Sequence, residues 1–146
     1  MLLMNSYKLY LQVHQLADKL GTFDPFVIAD SLGYRVEYAS LGNLKGICTT
    51  ASSGDVYIGL SDELQEVPEK YVVMAHELKH GLDHTSCAAL YTIGNNWEGK
   101  MEREANLFAC SELTALYKEQ YGDRPQSFNE IQMAYGLPDK FYELMF

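Results

Sequence analysis

The sequence predicts an α+β fold with a small three-stranded antiparallel sheet. Three observations predict it. Helical spacing dominates both ends of the chain. Three short alternating segments fall close together between residues 34 and 60. An uninterrupted amphipathic stretch then begins at Val67 and carries two histidines four residues apart.

The elements follow in order. Residues 5–20 read as a helix, with Tyr7, Tyr10, Leu11, His14 and Leu20 near helical spacing and Gly21 as its stop. Asp24-Pro25 opens a second helix, since Asp can cap and Pro suits the first turn. Phe26, Ile28, Ala29 and Leu32 form its expected buried side, and Gly33 ends it. Tyr34–Tyr38, Ile47–Thr50 and Asp55–Leu60 alternate as strands. Leu41–Gly46 reads as a turn region and Ala51–Gly54 as a hairpin loop. Ser61 starts a short turn. Pro68 and Glu69 suit the start of the next helix. Cys87–Asn96 reads as loop or mixed structure. Trp97–Tyr117 reads as a long helix, and Ser127 caps a short helix through Ala134. Asp139–Phe146 reads as a final turn or two. No repeat, low-complexity tract or linker divides the 146 residues, which predicts one domain over 1–146.

Composition narrows the function classes. Hydrophobic residues make up 47 % and charged residues 21 %, as in a globular protein with a real core. The net charge of −9 argues against direct nucleic-acid binding, which needs a basic face. Cys48, Cys87 and Cys110 are odd in number and form no CxxC pair, so neither a disulfide framework nor a cysteine zinc site is expected. Cys110 reads as core packing. No signal segment and no membrane-length apolar run is present, which predicts a cytoplasmic protein with no membrane partner.

The chemistry concentrates in His76-Glu77-Leu78-Lys79-His80, an HExxH pentapeptide. An α-helix turns once per about 3.6 residues, so side chains at i and i+4 share a face. Two imidazoles placed so can reach one zinc ion at roughly 2.0–2.1 Å. Glu77 is rotated about 100° from His76. From there it can meet a water on the metal without being a ligand, as a general base requires. Tyr71, Met74, Ala75, Leu78 and Leu82 gather on the opposite, apolar side.

A catalytic zinc site needs a third protein donor. An HExxHxxGxxH extension fails, because Ser86 stands where its third histidine belongs. Glu98, Glu102 and Glu104 on the following helix are the candidates. Glu102 shares its face with Ala105, Asn106, Ala109, Leu113 and Leu116, which must pack inward. A carboxylate there needs a partner, and zinc supplies one. Glu104 faces Lys100, Leu107 and Ser111, so Lys100–Glu104 also reads as a solvent-side pair. Glu98 lies one turn before Glu102, where it could serve the helix N-terminus instead. His84, four residues after His80, could line the same cleft or cap the helix C-terminus. His14 reads as a half-buried packing residue.

Asp24–Gly33, Leu44-Lys45-Gly46, Ala75–His80 with His84, and Glu102-Arg103-Glu104-Ala105-Asn106-Leu107-Phe108-Ala109 together resemble the ImmA/IrrE family of bacterial and phage metallopeptidases. Tyr135-Gly136-Leu137-Pro138 is similar to phage members. The resemblance implies a zincin-like, specifically gluzincin-like, single domain in which an HExxH active-site helix precedes a glutamate-bearing helix. It implies Zn2+ held by His76, His80 and Glu102, with Glu77 as base. It further implies an endopeptidase that cleaves a helix-turn-helix transcriptional repressor, inducing a prophage, mobile element or stress response. An alternative is a non-proteolytic regulator that sequesters such a repressor with the same fold. One departure stands out. Cys110-Ser111-Glu112-Leu113-Thr114 replaces the apolar, proline-ended run usual in that family.

Overall fold

A computed structural model describes residues 2–83 and 95–145. Among them, helix α1 (Leu2–Leu20) and helix α2 (Pro25–Ser31) precede strands β1 (Arg35–Ala39), β2 (Gly46–Thr50) and β3 (Val56–Ser61). Helices α3 (Glu69–Asp83), α4 (Asn95–Tyr121), α5 (Phe128–Tyr135) and α6 (Tyr142–Met145) follow, with 3-10 turns at Asp62–Leu64 and Asp139–Phe141. The fold is α+β. No helix among the described residues is long and apolar enough to cross a membrane.

The local chemistry of the caps matches the chain. Asp24 accepts a hydrogen bond from the Phe26 N–H, and Pro25 fills the first turn of α2. Ser127 accepts from the Glu130 N–H, and Gly136 closes α5 with a left-handed φ of 70°. The long helix is longer than its periodicity predicts, running from Asn95 to Tyr121 rather than from Trp97 to Tyr117. At the C-cap of α2, Leu32 is exposed rather than buried.

The sheet corrects the antiparallel expectation. Its order is β1-β3-β2, and it is mixed. β2 and β3 form the antiparallel hairpin, but β1 lies on the other side of β3 and runs parallel to it, with Val36 opposite Ile58. The reason is burial. Val56, Ile58 and Leu60 of β3 are almost wholly enclosed, whereas β1 and β2 alternate between exposed and half-buried. The most apolar strand takes the centre, and no short local turn can then join β1 to its neighbour.

The helix α1 turns a different side inward than its aromatics suggest. Leu9, Val13 and Ala17 are buried, while Tyr7, Tyr10 and Leu11 are exposed. Leu9 and Val13 enter the apolar core, and a polar contact accompanies that rotation. The buried Lys79 ammonium donates to Gln12 Oε1 at 2.7 Å and pairs with Asp83, and Gln12 Nε2 donates to Asp83 Oδ1. A buried charge needs such partners, and Gln12 of α1 supplies one to Lys79 of α3.

Two apolar clusters flank α3. Met74 and Leu78 join Ile28, Ile58, Leu60 and Phe108 on one side. Val72 and Ala75 join Ala109, Leu113, Leu116, Ile131 and Tyr135 on the other. Each large side chain enclosed this way contributes about 1.5–3 kcal/mol. α3 is therefore covered on almost every side. Close approach to the sheet uses Gly81: a Cβ there would lie 3.0 Å from Val56 Cγ1 and 3.1 Å from Tyr34 Cε2.

Candidate metal centre

The pentapeptide 76–80 lies wholly within α3, and α4 packs across it. Three side chains converge there. His76 Nε2 is 2.9 Å from Glu102 Oε2, His80 Nε2 is 2.9 Å from Glu102 Oε1, and the two Nε2 atoms are 3.2 Å apart. His80 is buried, His76 is largely covered and Glu102 is half exposed, so the cluster opens to solvent on one side. Among the described residues, these three form the one group of His, Cys, Asp and Glu side chains able to share a metal ion.

The donor set fits zinc. Ligand atoms around a tetrahedral ion at normal bond lengths sit roughly 3.3 Å apart. The three edges here need to open by only a few tenths of an ångström. The donors are two imidazoles and one carboxylate, which leaves a fourth position open. His76 Nδ1 lies 2.7 Å from Asn106 Oδ1. An amide oxygen only accepts, so Nδ1 carries the proton and Nε2 faces the cluster.

The electrostatics agree with the geometry. Burial opposes protonation of His76, but the hydrogen bond and charge of Glu102, with Glu77 and Asn106, raise its pKa. Burial raises the Glu102 carboxyl, but the hydrogen bonds and charges of His76 and His80 together outweigh it and hold it well below the usual carboxylate range.

Glu77 is buried at 8 % exposure, beside the cluster but outside it. Burial pushes its carboxyl upward, and the two histidines offset part of that rise. Its neighbour is the first residue of β2. A Cβ on Gly46 would lie 3.0 Å from Glu77 Cγ, 3.2 Å from Glu77 Oε1 and 2.6 Å from Val73 Cγ1. Lys45, one residue earlier, pairs with Glu69 at the start of α3. The Lys45-Gly46 step thus ties β2 to the helix that carries Glu77.

The side chains of His76, His80 and Glu102 come together in one group. Glu104 stands outside the group. The Glu98 side chain, His84 and Cys87 lie outside the described residues. His14 is half-buried, with its ring 4.0 Å from that of Tyr10 and 5.2 Å from that of Phe23. Cys48 and Cys110 are free thiols, each pushed up to about 12 by burial, with Glu77 adding to the rise at Cys48. Sequence reasoning missed two residues. Asn106 was legible as the position one turn beyond Glu102 on the same face. Gly46 had a signal only in the Leu-Lys-Gly triplet.

No protein-family model matches the chain, and no curated protein matches it.

Proposed function

We propose that this chain is a zinc-dependent endopeptidase of zincin-like, specifically gluzincin-like, architecture, related to the ImmA/IrrE metallopeptidases that its sequence resembles. One observation carries the reading. His76, His80 and Glu102 present three donor atoms to one point, and Glu77 stands beside that point without joining it.

When bound, zinc supplies Lewis acidity and brings the pKa of a water toward about 7. The chain supplies the rest. Asn106 holds His76 in the tautomer that faces the cluster. Glu77 accepts a proton from the attacking water and delivers it to the leaving amine. Its raised pKa brings it nearer the working range of a general base. β3 is the central strand, so an extended substrate cannot pair with it. β2 is an outer strand of the sheet, packs on α3 and begins beside Glu77. It therefore offers the backbone edge on which a substrate strand aligns.

The substrate we propose is a helix-turn-helix repressor, cleaved in the cytoplasm. The test is co-expression with the helix-turn-helix regulator encoded nearest this gene, wild type beside Glu77→Gln. Fragments with wild type alone support the protease. An intact regulator that co-purifies with both forms supports sequestration instead. A purified chain that binds no zinc overturns the metal centre itself.

A further inference from the structure

A cleft of about 830 Å³ runs along α4 on a face turned away from Glu102. Its walls are α1, α4 and the C-terminal α6, with Leu9, Leu107, Leu144 and Met145 among the lining residues. From Leu107 to Lys118 it follows α4 for roughly 16 Å. The volume and the mostly apolar lining are those of small-molecule sites.

The polar groups are not spread evenly. Lys118 and Arg124 both stand at the end where α4 finishes. Neither side chain has an ion-pair or hydrogen-bond partner among the described residues. The one acid in the lining, Glu119, is occupied: it accepts from the Thr22 hydroxyl at 2.7 Å and the Phe23 N–H at 2.8 Å. In a chain of net charge −9, two unpartnered cations beside the single Glu119 carboxylate leave a net positive end on a mostly apolar cleft. Such a cleft suits an apolar body along α4 with an anionic head at the two cations.

We propose that this cleft binds a small amphipathic carboxylate, its chain along α4 between Leu107 and Ala115 and its head on Lys118 and Arg124. The site is separate from the His76–His80–Glu102 cluster and does not depend on peptidase activity.

Isothermal titration of the full chain with decanoate, kept monomeric and at low salt, tests this. Three proteins are compared: wild type, Ala115→Phe to fill the channel, and Lys118→Gln/Arg124→Gln to remove the positive end. The expected result is saturable one-site binding by wild type. The double variant should bind about ten-fold more weakly or worse, and Ala115→Phe not at all. Decanol, which lacks the charge, should bind wild type and the double variant alike. The exposed cations can be changed without disturbing the core, so the double variant remains decisive if Ala115→Phe does not fold. No saturable binding by wild type overturns the proposal. Decanoate binding that ignores the two cations overturns the anionic head. A concentration-dependent dimer that binds no decanoate assigns the cleft to a second copy and also overturns it.

Discussion

Asn106 Oδ1 sits 2.7 Å from His76 Nδ1, one turn of α4 beyond Glu102. One helix thus supplies both a donor to the cluster and the group that orients another donor. Asn106→Ala leaves His76 free to rotate and to change tautomer. Zinc affinity should fall about 10–100-fold, the usual effect of losing such a partner. Competition with a chromophoric chelator measures it. An unchanged affinity would show that packing alone holds the ring.

Glu102→Ala removes a donor rather than its support. Its zinc affinity should fall further than that of Asn106→Ala, whereas Glu104→Ala should match wild type in the same assay. Affinity should also rise with pH. Glu102 raises the pKa of His76, and a protonated imidazole cannot bind metal, so protons compete up to a higher pH than for a free histidine. Calorimetry in buffers of different ionisation heat should register proton release on zinc binding.

Gly46→Ala tests the contact between β2 and Glu77. The new methyl would meet Val73 Cγ1 at 2.6 Å and Glu77 Cγ at 3.0 Å. We expect about 1–3 kcal/mol of destabilisation in urea unfolding. Peptide hydrolysis should fall while zinc affinity holds, because the three donors are not touched. Adding Val73→Ala removes the closest clash. Stability should recover in the double variant, but activity should remain low if the displaced group that matters is Glu77.

Glu112 is fully enclosed in α4, and among the described residues neither of its carboxyl oxygens has a hydrogen-bond partner. Burial, with Asp24 adding to it, raises its pKa well above the ordinary value. The folded chain therefore keeps a proton that the unfolded chain releases above about pH 4.3. More protons bound in the folded state means that stability falls as pH rises, from that point through the raised value. Glu112→Leu should stabilise the protein by about 1–3 kcal/mol at neutral pH. The gain should shrink toward pH 4. Denaturant titrations at several pH values decide it. A gain that does not vary with pH would mean that Glu112 does not titrate in the folded chain.

The HExxH spacing was sufficient by itself to place His76 and His80 on one helical face, because the period of a helix is fixed by its backbone hydrogen bonds. The same period favoured Glu102 over Glu104, since Glu102 shares the face of Ala105, Ala109 and Leu113, but it left Glu98 open on that same face. The caps at Asp24 and Ser127 were equally legible, being contacts between residues two and three positions apart. Strand pairing was not. Whether β1 joins β3 in parallel depends on which strand the helices cover, and that is settled by burial across distant residues. The rotation of α1 was hidden for the same reason: Gln12 finds Lys79 and Asp83 only after α3 is in place. The approach of Gly46 to Glu77 likewise exists only once β2 lies on α3. Local periodicity determined which residues share a face. Long-range packing alone decided which face meets which, because that choice rests on apolar area and buried charges contributed by elements far apart in the chain.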